Sequence, residues 1–80
     1  MTEVMQMAKF NTKLKALMLR KSAEIGEPIT QKEIADATGL SLPTIARWYH
    51  NDVDRIEPNT TAALMKYFEC KFEDLIEVVE

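Results

Sequence analysis

Cysteine, histidine and long apolar runs are scarce or absent in this chain, and each of these features excludes a class of protein. Cys70 is the only cysteine, which excludes an internal disulfide, and together with His50, the only histidine, it leaves too few ligands for a zinc site. No apolar run approaches the ~20 residues that a membrane span needs, and the N-terminus lacks a secretory signal pattern. The sequence therefore predicts a cytoplasmic protein with no metal, cofactor or small-molecule ligand.

Groupings of catalytic residues are missing as well. The sequence contains no nucleophile beside a base, no pattern of paired buried carboxylates and no glycine-rich phosphate loop. Cys70 has no base nearby in the sequence to activate it, and a lone cysteine of this kind is typically a small core residue. We expect no enzymatic activity.

Charge is distributed unevenly along the 80 residues, although the total is only −3. Residues 4–23 carry five basic side chains and no acid, whereas residues 56–80 carry six acids against two lysines. This polarity suits a protein that presents one face to phosphates, although two ordinary solvated faces would give the same pattern. The length allows one domain, which we assign to residues 9–80, preceded by a flexible N-terminus over residues 1–8.

The central motif begins with a helix start at Thr30. Thr30 can cap the first backbone N–H groups, Glu33 can reach back to it, and Ile29 can pack on Ile34, which together make a capping box with a hydrophobic staple. Gly39 stands where this helix should stop, since glycine accepts the left-handed conformation.

A second helix follows at once, with Ser41 as its cap and Pro43 in its first turn. Ile45 and Trp48 mark its inward face, and Ala35 on the preceding helix allows close approach. Two short helices that cross in this way make a helix-turn-helix.

The run TQKEIADATGLSLPTIARW, residues 30–48, resembles the lambda-repressor-like, XRE/Cro-type DNA-binding family almost position by position. The similarity extends through the last part of the chain and covers roughly residues 9–79. The resemblance implies an all-α domain of five helices. A helical hairpin used only for packing is the alternative interpretation of the motif.

Outside the motif, apolar spacing predicts a helix from about Asn11 that places Lys9, Lys13 and Arg20 in one sector. Residues 22–29 should form a turn, Asn51 should cap the second motif helix in the left-handed conformation, and either Glu57 or Asn59 should cap the next helix. The C-terminal segment is a helix or a helix followed by a strand. Its ending IEVV could pair with residues 8–10, although we expect no extended sheet.

A recognition helix reads DNA through outward side chains near its start. Arg47 is the leading candidate for a base contact, because a guanidinium can bond both O6 and N7 of guanine, and clamping a phosphate is its alternative role. Leu42, Pro43 and Ala46 would suit thymine methyl groups, while partial burial of Leu42 is an equal alternative. The resemblance implies that Gln31 and Arg55 face phosphate. The full set of candidate DNA-binding residues is Lys13, Gln31, Lys32, Ser41, Leu42, Pro43, Thr44, Ala46, Arg47, His50 and Arg55.

These features favour a sequence-specific transcriptional regulator, in particular a small repressor that inserts helix 42–50 in the major groove of double-stranded DNA. The alternative is a protein-interaction module, such as the antitoxin of a toxin–antitoxin pair, whose acidic C-terminal third would contact a basic partner. One recognition helix touches few base pairs, so we expect a homodimer on DNA. Its contact surface should lie in the acidic third, with Tyr67, Phe72, Ile76 or Val79 protruding.

Overall fold

The computed structural model describes residues 9–79, with five helices and two short strands in that range. The predicted flexible segment, residues 1–8, lies outside the described residues. In chain order the elements are β1 Lys9–Thr12, α1 Leu14–Ile25, α2 Gln31–Thr38, α3 Leu42–Tyr49, α4 Pro58–Phe68, α5 Phe72–Leu75 and β2 Ile76–Val79.

The helix-turn-helix is built by the local signals that predicted it. The Thr30 hydroxyl accepts the Glu33 N–H at 3.1 Å, and a Glu33 carboxylate oxygen accepts the Thr30 N–H at 2.8 Å, which completes the capping box. Gly39 ends α2 at φ 78°, in the left-handed region. Ser41 then caps α3 by accepting the Thr44 N–H at 3.2 Å. The chain can turn sharply between α2 and α3 because glycine lacks the Cβ that penalises this conformation.

The core lies between α1, the α2–α3 pair, α4 and the chain end. Five large side chains are fully buried and come from five different helices: Leu14, Ile34, Ile45, Leu64 and Leu75. Trp48 on α3 joins them with 4% of its surface exposed. Each helix therefore contributes one anchor to a single cluster, so the position of α3 depends on all the others.

A small antiparallel sheet corrects the expectation of an all-α domain. β1 and β2 pair with Phe10 opposite Val78 and Thr12 opposite Ile76. The C-terminal segment is therefore a helix followed by a strand, as one of the two alternatives predicted. Its β-branched ending pairs with residues 9–12. The domain is mostly helical, and its two ends are joined by this ribbon.

The prediction that α1 begins near Asn11 is wrong. Residues 9–12 are extended, α1 begins at Leu14, and Lys13 precedes the helix. Lys9 and Arg20 consequently lie on different elements, so helical periodicity does not place Lys9 in one sector with Lys13 and Arg20. Lys13 and Arg20 themselves line one groove. Periodicity alone could not detect the strand, since its pairing partner is at the other end of the chain.

The remaining boundaries follow the sequence signals closely. Gly26 ends α1 at φ 81° within the predicted turn, but the connection is shorter than residues 22–29, because residues 22–25 still belong to α1. Asn51 has φ 59° just after α3, as expected for a left-handed cap. Of the two candidates for the start of α4, Glu57 is the N-cap. Ile76, predicted to protrude, is instead buried with 3% exposure, because it faces the core from β2. No helix in the described range is long and apolar enough to cross a bilayer.

Thr61 supports a stability prediction. Its side chain is buried in α4, and its hydroxyl makes no hydrogen bond to any residue that the structure describes. We expect Thr61→Val to raise the free energy of unfolding by about 1 kcal/mol, because valine has nearly the same shape without a buried polar group to desolvate. Urea unfolding of both proteins measures the change. Destabilisation by Thr61→Val would show that the hydroxyl is in fact satisfied in solution.

Candidate nucleic-acid interface

α3 turns two side chains inward and leaves the others at or near the surface. Ile45 and Trp48 are buried in the core, while Thr44 and Ala46 are half-buried beside them. The exposed residues at the start of α3 and along its outer face are Ser41, Leu42, Pro43, Arg47 and His50. The amphipathic pattern therefore leaves one face of α3 exposed to solvent.

The start of α3 carries a short polar and apolar surface. The Ser41 and Thr44 hydroxyls lie 2.8 Å apart, so both are oriented by the cap itself. Leu42 is 48% exposed, which leaves about half of its surface available to a partner. Pro43 is exposed beside it. This combination offers both hydroxyl groups and apolar groups at one helix end.

Arg47 is held toward the loop that follows α3. Its Nε donates a hydrogen bond to the Asp52 carbonyl oxygen at 3.2 Å, and a terminal guanidinium nitrogen lies 3.9 Å from an Asp54 carboxylate oxygen. The Arg47 side chain remains 59% exposed and the Asp54 side chain 91% exposed. Such an exposed ion pair contributes ~0–1 kcal/mol. The guanidinium is therefore oriented but free to exchange partners.

A polar cleft of about 430 Å³ brings three of the candidate residues together. Thr44 and Arg47 from α3 line it with Arg55 from the following loop, and Asp54 and Glu57 are acidic members of the same wall. Two arginines thus line one cleft beside α3.

Lys13 and His50 lie near the C-terminal end of α3, away from the Arg47 cleft. Both line a groove that also contains Asn51, next to β1. The Lys13 ammonium group donates to the Glu73 carbonyl oxygen at 3.3 Å. His50 directly follows the last residue of α3, and its ring meets that of Tyr49 edge to face at 5.2 Å.

Gln31 and Lys32 are at the start of α2, apart from the Arg47 cleft. Gln31 is half-buried at the first helical position, where the backbone N–H groups of a helix start are exposed to an anion. Lys32 pairs with Asp36 one turn later at 3.1 Å, with both side chains largely exposed. Lys32 is consequently partly neutralised in the free protein.

Sequence reasoning missed the contacts that three residues make around α3. Asp52 holds Arg47 through its backbone carbonyl and Asp54 through its carboxylate, and both lie in an irregular loop whose contacts no repeating pattern predicts. The Asn51 amide bonds to β1, for which the sequence gives no signal because β1 is far away along the chain.

Metal ligands and the single cysteine are the remaining features of the described residues. Among them, no group of three or more His, Cys, Asp or Glu side chains is arranged around a potential metal position. Burial raises the pKa of the Cys70 thiol, and Asp74 raises it further against an opposing effect of Arg20. A raised pKa leaves less thiolate at neutral pH, which makes Cys70 a poor nucleophile.

A family model described as a Cro/C1-type HTH DNA-binding domain matches residues 13–80. The match contains all five helices together with β2, and it begins at the residue that precedes α1. No curated protein and no solved structure matches the chain at a significant level.

Proposed function

The chain belongs to the Cro/C1-type HTH DNA-binding domain family, and from that premise we propose that it is a sequence-specific transcriptional regulator, a small repressor acting in the cytoplasm. Family membership supports a DNA-binding regulator. The repressor role and the insertion of α3 in the major groove are our inference. The observation that carries it is the two-faced α3, which is anchored by Ile45 and Trp48 and exposes the other side of its start.

We assign base reading to the outer face of α3. Arg47 would bond a guanine, Thr44 would contact a base or phosphate, and Leu42, Pro43 and Ala46 would meet thymine methyl groups. Contacts to the DNA phosphates would come from residues on either side of this face: Lys13, Gln31, Lys32, Ser41, His50 and Arg55.

Arg47 must exchange one contact to reach a guanine. The Asp54 pair at 3.9 Å is exposed and contributes ~0–1 kcal/mol, whereas a bidentate guanine contact contributes about 1–3 kcal/mol. Exchange is therefore favourable. The hydrogen bond from Nε to the Asp52 carbonyl can persist, because O6 and N7 need only the two terminal nitrogens.

We further propose that the protein binds as a homodimer, with two half-sites about one helical turn apart. The exposed apolar residues of the C-terminal part, Phe72 at 40% and Val78 at 56% exposure, are the candidate contact surface beside the half-buried Tyr67. Sedimentation at high concentration should show a dimer. A monomer that protects a single unrepeated half-site would refute this proposal.

Selection of bound duplexes from a random DNA library, at two salt concentrations, tests the proposed function. We expect enrichment of one repeated motif that persists at the higher salt, since base contacts depend less on salt than phosphate contacts do. Absence of any enriched motif would refute sequence-specific binding. A basic protein that co-purifies in that case would favour the interaction module instead.

Lys13 provides a prediction about the phosphate contacts. Lys13→Ala should weaken binding to the selected and a scrambled duplex about equally, and should lower the salt slope by roughly one unit, because each phosphate contact releases about one counterion. Lys66→Ala, an exposed lysine on α4 outside the proposed contact set, is the matched control and should leave both quantities unchanged. Affinity and slope come from titrations across a salt series. An unchanged slope for Lys13→Ala would remove Lys13 from the interface.

A further inference from the structure

Hydrogen bonds join β1 to the C-terminal end of α3, although the two segments are far apart in the sequence. The Thr12 hydroxyl donates to the Trp48 carbonyl oxygen, and the Thr12 N–H donates to the Asn51 side-chain oxygen at 2.7 Å. The Asn51 amide nitrogen donates to the Asn11 side-chain oxygen at 3.0 Å. We call these three bonds the β1–α3 clamp.

Asn51 combines two separable tasks. Its backbone has φ 59°, a conformation that asparagine tolerates and glycine adopts freely. Its side chain bonds only β1 among the residues described, and the Thr12 N–H fixes its orientation because an N–H can bond only the amide oxygen. Replacing Asn51 by glycine should keep the turn and remove the clamp.

The clamp connects α3 to a fixed part of the molecule. Thr12 pairs with the buried Ile76 across the sheet, and the next N–H, that of Lys13, donates to the Leu75 carbonyl oxygen at 2.8 Å. At its other end α3 is fixed by the Ser41 cap and the Gly39 turn. The sheet and the turn thus define the direction of the helix axis.

Small displacements of α3 matter because it is short. Eight residues span about 12 Å, so moving one end by about 1 Å tilts the axis by about 5°. Recognition groups need to be held within about 0.5 Å of their working positions. Core packing restrains α3 at Ile45 in its middle and at Trp48 in its last turn. The clamp adds hydrogen bonds to the backbone at that same C-terminal end and to Asn51, which follows it.

We propose that Thr12 and Asn51 are positioning residues, which set the orientation of α3 and thereby the preference for the correct DNA sequence. This inference rests on the proposed function, since it assumes that α3 reads bases. The clamp residues themselves contact no base in this account. Their effect should therefore appear in discrimination between duplexes rather than in general affinity.

The test compares Asn51→Gly and Thr12→Val with Thr12→Ser, which keeps the hydroxyl donor. Residual dipolar couplings of the free protein report the orientation of α3 relative to α2 and α4, and titrations give Kd on the selected and a scrambled duplex. For Asn51→Gly and Thr12→Val we expect reoriented α3 couplings and a discrimination ratio lower by about tenfold, the equivalent of about one base contact. Binding to scrambled DNA should stay within about twofold, and Thr12→Ser should behave as the wild type.

The outcomes separate this proposal from the proposed function. Unchanged couplings and an unchanged ratio, with only a lower unfolding midpoint, would show that the clamp is merely stabilising and would overturn the inference. Reoriented couplings with an unchanged ratio would overturn it too. If the wild type prefers no duplex at all, the proposed function fails, and the couplings alone then decide whether the clamp orients α3.

Discussion

Trp48→Ala is expected to lower the free energy of unfolding by ~3–5 kcal/mol. Trp48 is 4% exposed, belongs to the central cluster, and supplies one of the largest buried surfaces that a side chain can contribute. Domains of this size are stable by only about 5–15 kcal/mol, so the loss is a large part of the total. Because Trp48 anchors α3 in the core, DNA binding should weaken as well.

Urea unfolding followed by circular dichroism measures this effect. His50→Ala is the matched control, since His50 is exposed and lies two residues further on. Truncating an exposed side chain there should change the free energy of unfolding little. A loss below about 1 kcal/mol for Trp48→Ala would mean that α3 is not anchored in the core as described. α3 would then lack the buried face on which its proposed reading face depends.

Arg47→Ala is expected to cost about 1–3 kcal/mol at the selected site and to relax preference at one base pair. The reason is the position of Arg47, on the outer face of α3 with a guanidinium that is 59% exposed and loosely paired to Asp54. Its effect on scrambled DNA should be smaller. Titration of both duplexes across a salt series gives the two free energies and the slope.

Arg47→Lys is the informative control, because it keeps the charge and removes the planar fork that bonds two guanine atoms together. We expect it to lose preference at the same base pair while keeping the salt slope. Suppose instead that Arg47→Ala lost affinity equally on all duplexes with a reduced slope. Arg47 would then be a phosphate clamp, and reading would depend on Leu42, Pro43, Thr44 and Ala46 or on DNA shape.

The sequence predicted those parts of the fold that are determined locally. The Thr30–Glu33 capping box, the left-handed Gly39 and the Ser41 cap each depend on residues within one turn of one another, so their spacing was sufficient. The inward orientation of Ile45 and Trp48 followed from helical periodicity and is confirmed. These features define the helix-turn-helix and the family.

Features determined by distant contacts were not predictable in the same way. Apolar spacing predicts a helix from about Asn11, which includes the second half of β1, and the possible pairing of the IEVV ending covers only residues 8–10. Pairing with β2 makes all of residues 9–12 extended. Ile76 was expected at the surface for the same reason, since the strand that turns it inward depends on that pairing.

The candidate site shows the same division. The outward residues of α3 could be named from periodicity, whereas the partners that orient them could not. Asp54 lies in an irregular loop and Thr12 in the unexpected strand, and neither position follows from a repeating pattern. The roles assigned to the site residues stay predictions until DNA binding is measured.

The central claim is that α3 reads bases in the major groove, and methylation interference on the selected duplex tests it most directly. Methylation of guanine N7 marks the major groove, and methylation of adenine N3 marks the minor groove. We expect methylated N7 at one or two guanines in each half-site to block binding, with loss of that interference at one guanine in Arg47→Ala. Interference confined to adenine N3, or none at any guanine in the site, would contradict major-groove reading by α3.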